Sequence, residues 1–145
     1  MIPHDIPDGR WQKLSMDIMT YHGHDVLVVV DYYSKYPEIS QLPDKTAKTI
    51  ITHTKSICSR HGIPEETVSD NMPFGSREFK DFAHEWGTKT TTSRPTYAQS
   101  NGQAERFVQT LKGLVKKADE EGRDPYIALL EYRNTPISGI LRLKC

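Results

Sequence analysis

From Trp11 onward, apolar and polar positions alternate. Leu14, Met16 and Ile18 fall on one side, and Ser15, Asp17 and Met19 on the other. A period of two predicts a strand. The next stretch, YHGHD (21–25), carries a Gly among small polar groups and predicts a turn. DVLVVVDYY (25–33) is β-branched and apolar for most of its length, the pattern of a strand buried on both faces. SKYP then turns tightly, and EISQL (38–42) reads as a third short strand. Residues 1–10 are rich in Pro and Asp and read as an extended lead-in.

At Thr46 the period changes. Ala47, Ile50, Ile51, Thr54, Ile57 and Cys58 recur at helical spacing, with His61-Gly62 as the end and Pro64 as a stop. ETVSD (66–70) suits a brief buried strand. Phe79, Phe82, Ala83 and Trp86 mark a second helix closed by Gly87, and TKTTTS (88–93) a Thr-rich strand. RPTYAQSNG reads as a polar loop into a long helix, with Ser100 or Asn101 as its cap and Gly102 loosening its first turn. Its apolar stripe is Phe107, Leu111, Leu114, Val115 and Ala118. A last helix runs from Pro125 to about Arg133. The order β-β-β-α-β-α-β-α-α predicts one mixed α/β sheet with helices on its faces and right-handed crossovers. Ligand chemistry in such sheets gathers at the ends of the central strands.

The chain of 145 residues is long enough for one domain with a real core. Its 19 basic and 19 acidic residues balance, which argues against a generic polyanion binder but leaves room for local basic patches. Two cysteines, Cys58 and Cys145, make no disulfide framework and no zinc pair, and suit a reducing compartment. No apolar run is long enough to span a membrane, and the first residues do not read as a signal peptide.

Three carboxylates stand out by position. Asp17 lies on the side of the first strand away from its apolar stripe, Asp70 ends ETVSD, and Glu105 falls in the first turn of the long helix. With the first strand beside the fourth, Asp17 and Asp70 come close and Glu105 leans over them. Like charges so gathered are tolerated around a cation, and hard oxygen ligands suit Mg²⁺ or Mn²⁺. Two such ions can activate an attacking oxygen and stabilise the leaving oxygen of a phosphodiester. The competing reading makes each residue local: a turn or cap aspartate, and a glutamate favouring the helix dipole. Pattern alone does not decide between them.

The chain resembles the catalytic core of retroviral and retrotransposon integrases, the Ty3/gypsy branch in particular. The resemblance rests on W-x-x-L-x-M-D-I (11–18), VVVDYYSKYPE (28–38), RHGIPEETVSDN (60–71), SREFKDFA (76–83), QSNGQAERFVQTLK (99–112) and YRNTP (132–136). Glu105 stands 35 positions after Asp70, close to the family's spacing. The resemblance implies an RNase H-like fold, a mixed five-stranded sheet flanked by helices, over residues 11–136, with 137–145 a truncated or divergent tail. It implies two Mg²⁺ or Mn²⁺ ions held by Asp17, Asp70 and Glu105. The implied reactions are 3′-end processing and strand transfer, with element-end and target DNA as partners and the nucleus as location.

By the same likeness Asn101 and Gly102 begin a flexible loop-to-helix turn beside the site. Gln109, Lys112 and Lys116 repeat Glu105's position along the helix and are expected to face DNA, Lys112 on a phosphate; ordinary solvated lysines are the alternative for Lys112 and Lys116. Tyr32 and Tyr33 read as strand packing in preference to base stacking. A homodimer is implied, with Tyr126, Leu129, Leu130 and Arg133 of the last helix as its surface unless they pack internally.

The chain also departs from the family. Met72 stands where Gly is usual after S-D-N, and a Gln is missing there. Met at a turn built for positive φ costs strain or forces another turn, which would misaim Asp70. Tyr97-Ala98 replaces a common His-Pro. His22 and His24 lack a Cys pair, so no zinc module is expected and they read as turn residues. Two alternatives to the integrase reading follow: a catalytically impaired remnant serving as an interaction or DNA-binding module, and an RNase H-like nuclease restricted to hydrolysis.

Overall fold

The structure, a computed structural model, describes residues 11–69, 74–92, 98–134, 136–137 and 141–142; for 98–105, 136–137 and 141–142 it describes the backbone alone. Three strands come first: β1 (Lys13–Tyr21), β2 (His24–Asp31) and β3 (Pro37–Leu42). Helix α1 (Ala47–His61), β4 (Glu66–Ser69), α2 (Arg77–Trp86) and β5 (Lys89–Thr92) follow. Then come α3 (Ala98–Glu120) and α4 (Ile127–Arg133), with a small pair, β6 (Pro136–Ile137) and β7 (Leu141–Arg142).

The main sheet has the order β3-β2-β1-β4-β5. The first three strands form the antiparallel meander, and β4 and β5 join parallel to β1 and to each other. The five-stranded mixed sheet, and the placement of the first strand beside the fourth, are therefore as the pattern of the chain predicts.

Each face of this sheet has its own core, and period two sorts the residues between them. Leu14 and Met16 of β1 and Leu27 and Val29 of β2 join Ile50, Ile57, Phe79 and Phe82 of α1 and α2. Val26, Val28 and Val30 of β2 and Ile39 of β3 meet Val108, Leu111, Val115, Ala128 and Tyr132 of α3 and α4. This explains why β2 reads as continuously apolar: it is covered on both sides. It also refines the expectation for β1, whose polar side is covered by α3.

Capping follows the local chemistry. Thr46 accepts from the Thr49 N–H at the start of α1, and Ser76 from the Phe79 N–H at the start of α2. Gly87 ends α2 at φ 80°, a left-handed conformation that glycine adopts without steric cost.

Three expectations fail. Helix α3 begins at Ala98, so Ser100 and Asn101 are not its caps, and Asn101 and Gly102 do not form a loop-to-helix turn. A glycine inside a helix costs only about 1 kcal/mol relative to alanine, and the long amphipathic run behind it carries the helix through. Glu105 consequently lies about two turns in, and the first turn of α3 holds no acidic residue. Residues 137–145, read as a truncated or divergent tail, contribute Ile137, Leu141 and Arg142 to the β6–β7 pairing; two-residue strands are too short to leave a periodic signal. Residues 1–10, Asp70, the Met72 turn, Tyr97 and Cys145 lie outside the described residues.

Candidate active site

Asp17 sits in mid-β1 on the side that faces α3. Successive residues of a strand point to opposite faces, so Leu14, Met16 and Ile18 pack toward α1 and α2 while Met19 packs toward α3 and α4. The Asp17 carboxyl is 19% exposed. Its Oδ1 accepts the Ile18 N–H at 2.8 Å, which fixes the plane of the carboxylate. Its Oδ2 receives the Lys112 ammonium, reaching across from α3.

The parallel strand partner of β1 ends level with the residue before Asp17. The parallel β1–β4 register closes with Met16 opposite Ser69. Met16 immediately precedes Asp17, and Ser69 immediately precedes Asp70. Asp70 itself lies outside the described residues, as do the side chains of Glu105 and Asn101. Among the described residues no three His, Cys, Asp or Glu side chains converge on a point that would hold a metal ion. What Asp17 offers is one hard oxygen donor, held in orientation and turned toward a cation; that donor chemistry fits a divalent ion.

Along α3 the positions expected to share one face divide by environment. Gln109 is exposed. Lys112 is 21% exposed, its head on Asp17 of β1. Lys116 is an exposed residue whose ammonium lies 5.3 Å from the centre of the Tyr21 ring. One turn on, Glu120 accepts a 2.6 Å hydrogen bond from the Tyr21 hydroxyl. That bond, first, and the nearby negative charge push the Tyr21 phenol up to about 12. His22 lies 3.4 Å from Asp119 across the same seam. The β1–β2 hairpin is thereby tied to the second half of α3 by polar contacts that reading the chain did not foresee. Their only sequence signal is the acidic pair Asp119-Glu120, which patterning assigns to solvent.

Asp31 was also missed. It ends the apolar run of β2 fully buried and accepts hydrogen bonds from the Trp11 and Ser34 N–H groups, each at 3.1 Å, and from the Ser34 hydroxyl at 2.7 Å. The signal was the sequence Asp-Tyr-Tyr-Ser, in which a short acidic side chain turns back on the following backbone. Of the two tyrosines, Tyr32 is buried and Tyr33 is 54% exposed, so packing accounts for the first alone. His22 adopts a positive φ in the hairpin turn, as a turn residue does, whereas His24 begins β2. Tyr126, which caps α4, and Leu130 are exposed, Leu129 packs on the core, and Arg133 donates to the Tyr36 hydroxyl at 2.6 Å. The surface expected to pair two copies is thus only half free. No described helix is long and apolar enough to cross a membrane.

Comparison with known proteins agrees with this geometry. The model of the integrase core domain family matches residues 6–98. An uncharacterized protein of Caenorhabditis elegans is 37% identical over 144 residues, covering 95% of this chain and 11% of its own length. The Gag-Pol polyprotein of Walleye dermal sarcoma virus is 34% identical over 119 residues, covering 76% of this chain and 7% of its own. The Transposon Tf2-3 polyprotein of Schizosaccharomyces pombe is 33% identical over 117 residues, covering 73% and 9%. The crystal structure of the catalytic core domain of BIV integrase superposes with a TM-score of 0.72 at 22% identity, covering 90% of each chain. Fold and family match together define an integrase-type core on an RNase H-like frame. The chain belongs to the integrase core domain family. It spans about a tenth of the length of the curated relatives it matches.

Proposed function

We propose that this domain is the catalytic core of a DDE polynucleotidyl transferase, with Asp17, Asp70 and Glu105 as its carboxylates and element and target DNA as its substrates. The observation that carries the reading is the setting of Asp17. It lies on a central strand one residue past the pairing with β4, its carboxylate oriented by Ile18 and turned toward positive charge. Family membership supplies the reaction class.

In this reading Asp17, Asp70 and Glu105 would hold the divalent ions, Mg²⁺ or Mn²⁺. The ions, when bound, supply activation of the attacking oxygen and stabilisation of the leaving oxygen. The attacking group is water in 3′-end processing and a DNA 3′-OH in strand transfer. Gln109, Lys112 and Lys116 bind the DNA backbone from α3, and Asn101 contacts it from the start of that helix. Such contacts set most of the affinity for DNA. The nucleus is the proposed site of action and a homodimer the proposed assembly.

Purified protein with Mn²⁺ or Mg²⁺ should resolve a branched DNA substrate that mimics the strand-transfer product. Asp17→Asn should lower that rate at least about a hundredfold, since misplacing a reacting group by 1 Å already costs that much. Undiminished activity in the variant would overturn the assignment.

A further inference from the structure

We infer that the cavity between the β1–β2 hairpin and the second half of α3 binds a small organic ammonium, a compact apolar body carrying one positive charge. The inference is independent of the proposed reaction, because the cavity is lined by none of Asp17, Asp70 and Glu105.

The cavity lies where the polar seam along β1 widens. Residues two apart share one face of a strand, so Asp17, Met19 and Tyr21 follow one another on the side of β1 that meets α3. At Asp17 that side is filled by Lys112. Farther along it opens into a cavity of about 130 Å³. Met19, Val26, Val115 and Pro125 supply apolar walls, and Tyr21, His24, Gln41 and Asp119 supply polar ones. Apolar cavities of about 150 Å³ hold benzene, so a single ring or a branched alkyl group is the right size.

Charge selects among ligands of that size. No Lys or Arg lines the cavity, whereas Asp119 does. The Asp119 side chain is 26% exposed, so water screens it less than a carboxylate on an open surface. Its Oδ2 meets His22 Nδ1 at 3.4 Å, a long contact, and a carboxylate has acceptor sites for further donors. Glu120, the next residue, adds a second negative charge beside the Tyr21 hydroxyl. The Tyr21 ring already takes one ammonium, that of Lys116, at 5.3 Å. A ligand ammonium therefore pairs with Asp119 while its body covers Val26 and Val115. A neutral ligand of the same shape gains the apolar walls alone, and an anion is repelled.

The experiment titrates the full chain with benzylamine, benzyl alcohol and benzoate, followed by backbone amide resonances. Benzylamine should shift Met19, Val26, Val115 and Asp119 with a Kd of about 1 mM, reasonable for so small a ligand. Benzyl alcohol should bind roughly fivefold more weakly, the upper end of what a partly exposed ion pair contributes. Benzoate should leave these resonances in place. Asp119→Asn should bring benzylamine down to the level of the alcohol, and Val115→Phe should fill the cavity and remove both.

Benzylamine binding no tighter than benzyl alcohol, shifts confined to residues away from the cavity, or a preference that survives Asp119→Asn would each overturn the inference. If Val115→Phe does not fold, the three ligands on wild type and on Asp119→Asn decide the matter. None of these outcomes bears on the branched-DNA assay, so the proposed function stands or falls separately.

Discussion

Removing the Asp31 carboxylate should destabilise the fold by about 3 kcal/mol, although it lies outside the proposed reaction centre. Asp31 has no exposed surface, and it accepts from Trp11 N–H, Ser34 N–H and the Ser34 hydroxyl. Hydrogen bonds to a charged acceptor are worth about 1.5–3 kcal/mol each, so three give an upper range of roughly 5–9 kcal/mol. Two effects reduce it. The donors are only partly buried, so water recovers some of the loss, and bonds to one group do not add. Trp11 also sits at φ 63°, a conformation that costs a bulky residue about 1–3 kcal/mol and that would relax once its N–H is released. The remainder is about 3 kcal/mol, a large part of the 5–15 kcal/mol typical of a domain. Urea unfolding of Asp31→Ala and Asp31→Asn, followed by circular dichroism and by tryptophan fluorescence, measures it. The Asn variant should lie between wild type and Ala, because it keeps one acceptor oxygen and turns an amide donor toward other donors. A loss below about 1 kcal/mol for Asp31→Ala would refute the reasoning, since solvent would then be serving those donors as well as the carboxylate does.

Two further outcomes follow from the α3 face. Leu111 is fully buried between α3 and the sheet, so Leu111→Ala should cost about 3 kcal/mol by leaving a cavity, read as a lower urea midpoint with an unchanged slope. Tyr21 donates to Glu120 and its phenol is raised from 10.0 to about 12. The folded state therefore holds this proton more tightly than the unfolded chain, and the stabilisation is complete below pH 10 and lost as pH rises toward 12. Tyr21→Phe should consequently be less stable than wild type at pH 8, and the gap should close by pH 12; a gap constant with pH would refute the linkage.

The architecture was legible because its signals are local and redundant. Period two in β1, continuous apolarity in β2 and the change of period at Thr46 each identify an element, and capping by Thr46 and Ser76 with Gly87 as a stop fixes the ends of α1 and α2. The start of α3 was not legible for the converse reason. Ser100, Asn101 and Gly102 are residues that favour helix ends in isolation, and here they lie inside one, where cooperativity with the amphipathic run behind them outweighs local preference. The polar seam between β1 and α3 was illegible because it depends on which face of β1 that helix covers. Lys112 and Asp17 are 95 residues apart, and no spacing rule connects a strand to a helix at that distance.

The misjudged helix start bears on the site more than on the fold. With α3 starting at Asn101 or later, Glu105 would sit in the first turn, where unpaired N–H groups favour any carboxylate, and its presence would need no further cause. With α3 starting at Ala98, Glu105 lies beyond that turn, and the dipole effect falls off within it. The same helix places Lys112, seven residues on, against Asp17 of the central strand. An acidic residue about two turns into a helix gains little from the helix itself. The helix therefore supplies no local reason for an acidic residue at position 105, and the ligand role proposed for Glu105 would supply one.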